Sequence, residues 1–280
     1  MIINFYQRIK SSIVYCVLLA ATMIFIVSCG EDDVEPTGDE IKSTSDDIIF
    51  SNYRWTSKET KNIADSRYFC LTSKENVKLN DDGSIKLQLV KKGDTWYGGE
   101  ITLDSALGFG EYSFEIKVES GQFDANAAFE FTVLNIIDNL YEGMTQTGIR
   151  FNKYSDKSAP NEMEYFLYAT DKKFAEVQTP DTPFLLSGLY SSHKIGIFPN
   201  YLFYSSKGGG GFYNEFKALK KSEAVPDIPD AITFSESTDN LKVIMSLCLP
   251  ESNETSDGQK VEVTVRNFKY TPHISDYTHF

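Results

Sequence analysis

The chain has 280 residues, of which 40 are acidic and 27 are basic, so its formal net charge is −13. This acidic excess disfavours nucleic acid and anionic membrane surfaces as binding partners, because both would repel a negative protein surface. The charge is compatible with a neutral glycan, and the hydrophobic fraction of 41% is enough for a folded core.

The first 28 residues have the pattern of an export signal. Arg8 and Lys10 precede an apolar run from Ile13 to Val27, which is too short for a comfortable transmembrane helix. The run ends in Ile26-Val27-Ser28-Cys29-Gly30, which resembles a lipobox. That resemblance implies cleavage before Cys29 and acylation of this cysteine. The alternative is a plain membrane anchor with a chance cysteine at its edge.

Residues 29–49 are predicted to form a disordered acidic tether. Glu31, Asp32 and Asp33 follow the cysteine, and the stretch as far as Asp47 has little to bury. The acidic cluster resembles the tag that sends some Gram-negative lipoproteins to the outer face of the outer membrane, so we expect a lipid-anchored cell-surface protein. An ordinary solvated linker is the alternative. Cleavage removes two basic and no acidic residues, which leaves 25 basic against 40 acidic residues and a net charge of −15.

The remaining cysteines and the histidines give no sign of a metal site. Cys70 and Cys248 lie in apolar runs, where they could pair in an oxidising compartment or remain buried free thiols. The three histidines are scattered, and no cluster of cysteine and histidine has metal-ligand spacing. We therefore expect no metal and no cofactor.

Residues 50–280 are predicted to form one all-β domain, because helical periodicity is nearly absent and short alternating runs are separated by turn signals. The clearest case is a hairpin in which Val77 and Leu79 precede the turn Asn80–Gly83, and Ile85, Leu87 and Leu89 follow on one face. The same reasoning predicts strands near residues 112–118, 129–133, 241–249 and 261–268. The glycine run 207–211 is predicted as a hairpin tip, and 212–239 as a long loop.

Five segments follow one another in an order that has a known counterpart. They are Gly98–Lys117, Ala127–Phe131, Asn161–Phe166, His193–Tyr204 and Val261–Tyr270. Taken together they resemble glycoside hydrolase family 16, the laminarinase and lichenase group. The resemblance implies a concanavalin A-like jelly-roll β-sandwich of two antiparallel sheets, with a polysaccharide or oligosaccharide as partner. It also explains His193 as a structural residue.

The resemblance places a catalytic strand at Asn161–Phe166, where the family has a Glu-x-Asp-x-Glu motif. Residues i, i+2 and i+4 of a strand share one face, and that face here carries Glu162, Glu164 and Phe166. By position, Glu162 matches the nucleophile, Glu164 the helper carboxylate and Phe166 the proton donor of a retaining mechanism. A phenyl ring cannot protonate a glycosidic oxygen, and the loss of general acid catalysis costs roughly 100-fold to 10,000-fold in rate.

Other side chains could restore catalysis or bind a sugar. Glu162 and Glu164 are about 6.6 Å apart along a strand, and their carboxylates could approach the roughly 5 Å separation of a retaining pair. Glu130 could point into the same cleft. Each of these glutamates could instead be a solvated or ion-paired face residue. Four aromatic residues are candidate sugar-binding groups, although most aromatic residues fill the core: Trp96, Tyr97, Phe166 and Tyr168.

Three hypotheses follow. The first is a glycan-binding surface lipoprotein without efficient hydrolysis, which predicts a cleft with aromatic walls and no proton donor. The second is an active retaining glycosidase or lyase with relocated carboxylates, which predicts Glu162 close to a second acid. The third is an inert structural or adhesive surface protein, which predicts that the ring of Phe166 is packed against its neighbours with no open groove.

Overall fold

The computed structural model describes eleven stretches of the chain: residues 47–61, 70–118, 124–135, 145–151, 163–169, 173–178, 188–198, 201–208, 214–220, 241–250 and 254–273. All of them belong to the compact unit Ser43–Phe280. The predicted signal peptide and the predicted lipidation residue Cys29 lie outside the described residues. Within the described stretches, no helix has the length and apolar character needed to cross a membrane.

The described residues form sixteen β-strands and one 3-10 helical turn at Lys74–Asn76. The strands are β1 (Asp47–Phe50), β2 (Tyr53–Ser57), β3 (Val77–Leu79), β4 (Ile85–Lys92), β5 (Thr95–Tyr97), β6 (Gly99–Leu103), β7 (Gly110–Val118), β8 (Ala128–Asn135), β9 (Thr145–Phe151), β10 (Met163–Ala169), β11 (Lys173–Gln178), β12 (Ser191–Phe198), β13 (Tyr201–Lys207), β14 (Asn214–Lys220), β15 (Leu241–Cys248) and β16 (Val261–Pro272).

These strands make two antiparallel sheets. The first sheet has the order β1-β2-β6-β15-β8-β9-β10-β11, and the second has the order β14-β13-β12-β7-β16-β4-β3, with β5 paired to β4. Strands distant in sequence are neighbours in space, for example β15 between β6 and β8. The prediction of an all-β sandwich of two antiparallel sheets is confirmed.

The core lies between the sheets and is built by alternation along the strands. Strand β7 alternates buried and half-buried residues along its whole length, and its Phe114 stacks on Phe131 of β8 with ring centroids 4.2 Å apart. Such offset aromatic pairs add to the free energy gained from burying their apolar area. The predicted runs at 112–118 and 129–133 therefore supply facing layers of the same core.

The predicted hairpin at 77–89 is confirmed, with Val77 opposite Leu87 and Leu79 opposite Ile85. Gly83 in its turn has φ +77°, a conformation that glycine adopts without a steric penalty. The C-terminal strand β16 contains a register shift between Arg266 and Lys269, where Asn267 has φ +55°. This β-bulge explains why the apolar spacing there changes from two residues to three, as Phe268 enters the core.

Two predicted boundaries were wrong. The sandwich begins by Asp47, so residues 47–49 of the predicted tether belong to β1, which pairs with β2 through a tight turn at Ser51 and Asn52. The predicted loop at 212–239 contains β14 over Asn214–Lys220, at the edge of the second sheet beside β13. The sequence analysis missed β14 because this strand carries several charged residues, which edge strands tolerate. Residues 221–239 lie outside the described part of the chain.

Candidate functional site

The strand that matches the family's catalytic motif is β10. Its residues Met163, Tyr165 and Leu167 belong to the core, and Tyr165 stacks on Tyr204 of the second sheet at 4.8 Å. Alternation therefore places Glu164 and Phe166 on the face that points away from the second sheet. Glu162 precedes β10 and lies outside the described residues, and the same holds for the side chain of Tyr168.

Five polar residues line up across this outer face, and we call them the polar row. The registers place Glu100 of β6 opposite Ser246 of β15, and Ser246 opposite Glu130 of β8. They then place Glu130 opposite Arg150 of β9, and Arg150 opposite Glu164 of β10. The row therefore spans five adjacent strands. All five residues are buried.

Arg150 is the centre of the polar row. Its Nε donates to Oε1 of Glu130 at 2.5 Å, and its Nη1 donates to Oε2 of Glu164 at 3.3 Å. The residues are 7%, 1% and 2% exposed, respectively. Taking each charge out of water costs several kcal/mol, and the attraction within a buried ion pair offsets this cost only when the charged groups are close and well oriented. The structure thus brings together two of the predicted carboxylates, Glu130 and Glu164, through an arginine that the sequence analysis did not single out.

Phe166, which the sequence resemblance aligns with the family's proton donor, is 1% exposed. Its ring lies over Gly148 of β9, where a Cβ atom would come 2.6 Å from the ring. The guanidinium carbon of Arg150 lies 4.8 Å from the centroid of the same ring, within the range of a cation–π contact. The ring is therefore packed against the sheet, which is one of the two features that the structural hypothesis predicts, the other being the lack of an open groove.

This arrangement does not resemble an acid and base pair. One oxygen of Glu130 and one of Glu164 accept hydrogen bonds from a guanidinium, which does not lose its protons in proteins. A general acid must instead carry a proton and present it to the leaving oxygen of a substrate. Glu130 and Glu164 are therefore ion-paired carboxylates in this structure.

Trp96 and Tyr97 were predicted to contact a sugar, and the structure places both on β5 beside β4. Trp96 is 8% exposed and packs in the core, so its ring faces are not presented to solvent. Tyr97 is half-buried, with Nζ of Lys92 lying 5.7 Å from its ring centroid. Neither residue belongs to the polar row.

An open groove lies at the β2–β6–β15 end of the same sheet, beside Glu100. Its volume is about 480 Å³. Thr56 Oγ1 donates to Asp104 Oδ1 at 2.6 Å across it, and Lys58 Nζ lies 3.5 Å from Glu100 Oε1. The lining consists of Thr56, Ser57, Lys58, Glu59, Thr102, Leu103, Asp104 and Lys242. Seven of these eight residues are polar or charged, with charges of both signs, whereas most of the surface that they present to the groove is apolar.

His193 lies in the core and is fully buried. Its Nε2 is 2.7 Å from Ser191 Oγ and its Nδ1 is 2.9 Å from Ser206 Oγ. Burial lowers the pKa of His193 to about 3, because desolvation disfavours the charged imidazolium. A neutral histidine with both ring nitrogens bonded is structural, as the family resemblance implied.

Fold and site together define a class. The described residues have the jelly-roll sandwich fold of the family 16 glucanases and laminarinases. No family model and no curated protein matches the sequence.

Solved structures with this fold include enzymes and one protein described as a pseudo-enzyme. A mixed-linkage glucan family 16 enzyme of Bacteroides ovatus, in complex with a product, has a TM-score of 0.59 at 14% identity, covering 78% of this chain and 94% of its own. A laminarinase of Flavobacterium sp. has a TM-score of 0.59 at 13% identity, covering 77% and 92%. An immunostimulatory antigen and pseudo β-1,3-glucanase of Mycobacterium tuberculosis has a TM-score of 0.53 at 12% identity, covering 75% and 88%.

Proposed function

We propose that this chain is a lipid-anchored protein of the outer membrane, exposed on the cell surface, whose sandwich binds polysaccharide or oligosaccharide without efficient hydrolysis. The observation that carries the proposal is the buried ring of Phe166 at the position of the proton donor, next to carboxylates already paired with Arg150. The family's chemistry depends on an acid at that position. We therefore expect no family-type turnover.

Glycan binding is supported by the fold and by the open groove at the β2–β6–β15 end of the first sheet. Solved structures with this fold include a glucanase in complex with a glucan product and a protein described as a pseudo-glucanase. Hydroxyl, carboxylate and ammonium groups of the kind that line the groove bind sugar hydroxyls. We propose the groove as the binding surface, with Thr102 and Asp104 among its lining residues.

Anchoring is supported by the sequence alone. The basic start, the short apolar run and the lipobox-like ending at Cys29 favour a lipoprotein signal. The acidic residues after Cys29 favour export to the surface, since they resemble an export tag.

A structural or adhesive surface protein is the second candidate, and the packing of Phe166 favours it. The ring of Phe166 covers Gly148 and contacts Arg150. It therefore occupies the part of the outer face where a substrate would approach the family's proton donor. The groove at the opposite end of the sheet separates this candidate from the first, because an inert protein needs no ligand there.

One experiment distinguishes the candidates. The acylated full chain, purified in detergent, is assayed for new reducing ends and for binding against a panel of β-glucans and galactans. Glu162→Gln is assayed beside it, with the exposed Glu75→Gln as a matched control. We expect binding without turnover in all three proteins.

Two other results would change the assignment. Turnover that is lost in Glu162→Gln and kept in Glu75→Gln would make the protein an active glycosidase with an unconventional acid. The absence of both binding and turnover across the panel would favour the structural candidate.

A further inference from the structure

Two cysteines distant in sequence are brought together beside Gly98. The amide of Gly98 donates to the carbonyl of Leu71 at 2.8 Å, and the amide of Ser73 donates to the carbonyl of Gly98 at 2.9 Å. Residues 71–73 therefore run along Gly98, and Thr72 makes a parallel bridge with it. This fixes the position of Cys70 at the start of the segment.

The other side of Gly98 abuts the end of β15. A Cβ atom at Gly98 would lie 2.0 Å from the carbonyl oxygen of Leu247 and 3.3 Å from Cα of Cys248. Only a residue without a side chain allows the two backbones to approach so closely. The segment that carries Cys70 and the strand that carries Cys248 are thus separated by the width of one glycine.

The two thiols meet in this space. Cys70 and Cys248 are 5% and 1% exposed, and both are present as thiols in the structure. Their side chains hydrogen-bond to each other, and this contact, burial and the nearby charges of Glu130 and Glu100 raise the pKa of Cys248 well above its usual value. Because the thiolate is the reactive form, such a buried thiol is a poor nucleophile once the protein has folded. Among the described residues, no group of three or more side chains could hold a metal ion.

We propose that Cys70 and Cys248 are oxidised to a disulfide as the chain folds outside the cytoplasm. The two S–H bonds break and one S–S bond forms. The two electrons and two protons pass by thiol–disulfide exchange to an external disulfide, which leaves as a dithiol. Because both sulfurs are buried afterwards, the exchange precedes the closure of the sandwich over them. The bond ties the segment around Cys70 to β15, next to the polar row.

Oxidation in the cell depends on the export proposed above. The ability of the two thiols to form the bond does not depend on export. The acylated full chain is therefore purified from membranes, denatured in N-ethylmaleimide, and analysed by mass spectrometry with and without prior reduction. We expect Cys70 and Cys248 to remain unalkylated until a reductant is added, in a linked peptide pair two hydrogens lighter than the free thiols. Alkylation of both without reductant, in protein acylated at Cys29, would overturn the proposal.

A second arm separates failure of export from failure of the disulfide. If the chain still contains Cys16 and carries no acyl group at Cys29, the export proposal has failed. The reduced chain is then refolded with oxidised and reduced glutathione. Formation of the intramolecular bond supports the proposal, and glutathione adducts or free thiols alone contradict it.

Stability gives a readout that requires no substitution. The oxidised chain is expected to unfold at a higher urea concentration than the same chain after reduction, because the bond restricts the unfolded ensemble. Cys70→Ser and Cys248→Ser serve as controls, and reductant should leave their midpoints unchanged. Equal midpoints for oxidised and reduced wild type would show that the bond does not fit this site.

Discussion

The ring of Phe166 decides whether the sandwich can be returned to catalysis by one substitution. Phe166→Glu restores the family's residue type at the motif, but the new carboxylate enters a buried row that already has Glu130 and Glu164 sharing Arg150. We expect the free energy of unfolding to fall by about 3 kcal/mol or more, since an uncompensated buried charge is expensive. We also expect no new reducing ends from β-glucan.

Phe166→Leu is the matched control, because it removes the ring without adding a charge. We expect it to lower the free energy of unfolding by about 1–3 kcal/mol through lost packing over Gly148. Urea unfolding measures both variants. Hydrolysis by Phe166→Glu would mean that the outer face opens more readily than its packing indicates.

His193 gives the fold a pH dependence with a definite sign. Burial lowers its pKa to about 3 in the folded protein, whereas an unfolded histidine titrates near 6.5. Between these values the unfolded chain binds more protons, so the contribution of His193 to stability is complete above about pH 6.5 and is lost as the pH falls towards 3. The loss approaches about 1.4 kcal/mol per pH unit.

Two measurements test this. Urea unfolding between pH 7 and 4.5 is compared for wild type and His193→Gln, and the variant should show a shallower fall in stability. Nitrogen-15 NMR should find the imidazole of His193 neutral in the folded protein at pH 4.5. A protonated ring at that pH would contradict the burial argument.

At the level of single residues, the sequence predicted which face of the sheet a side chain lies on, but it did not predict which residues pair with one another. The alternation of Glu164 and Phe166 against Met163, Tyr165 and Leu167 follows from the two-residue period of a strand, so their faces were predictable. Arg150 was not, because its pairing depends on the registers of three strands. The one available signal was its position two residues after Gly148 in an alternating run.

At the level of strands, the burial pattern of a strand decides whether the sequence predicts that strand. The strands with an apolar core face, such as β7 and β16, were predictable because alternation is their signature. Strand β14 was missed because an edge strand carries charges freely, and β1 was missed because it is short and adjoins an acidic segment. Strand order within the sheets was not predictable from pattern alone, and the family resemblance implied only a jelly-roll sandwich of two antiparallel sheets.

We expect the buried ion pairs of the polar row to contribute more to stability than an ion pair nearer the surface. Arg150→Met leaves Glu130 and Glu164 buried without their cation, and we expect the free energy of unfolding to fall by about 3–5 kcal/mol. Arg266→Met is the matched control, because it also removes an arginine that pairs with a glutamate of the neighbouring strand, at 2.6 Å from Glu115. That pair is partly exposed, and the guanidinium of Arg266 also lies 3.5 Å from the centroid of the Tyr190 ring. A change of at most about 2 kcal/mol is therefore expected. Similar losses in the two variants, measured by urea unfolding, would argue against a special role for the row.

At the scale of the whole molecule, fold and chemistry depend on different residues. The sandwich requires only apolar residues at alternate positions of many strands, and this requirement is met throughout the core. The family's reaction requires a carboxylic acid at one position, with which the sequence resemblance aligns the buried Phe166. One substitution at such a position would remove the reaction and leave the architecture and the groove in place, which is the basis for proposing a binding protein.

The attachment to the membrane is predicted to depend on Cys29. After cleavage the chain has a net charge of −15, so it gains no electrostatic attraction to anionic lipid headgroups, and stable anchoring then needs more than one acyl chain. We expect the full chain in the outer-membrane fraction and accessible to protease on intact cells. Cys29→Ser should lose acylation and leave that fraction, whereas Cys70→Ser should remain in it. If wild-type protein that carries no acyl group at Cys29 stays membrane-bound after an alkaline carbonate wash, the apolar run from Ile13 to Val27 is itself the anchor, and the protein is not a lipoprotein.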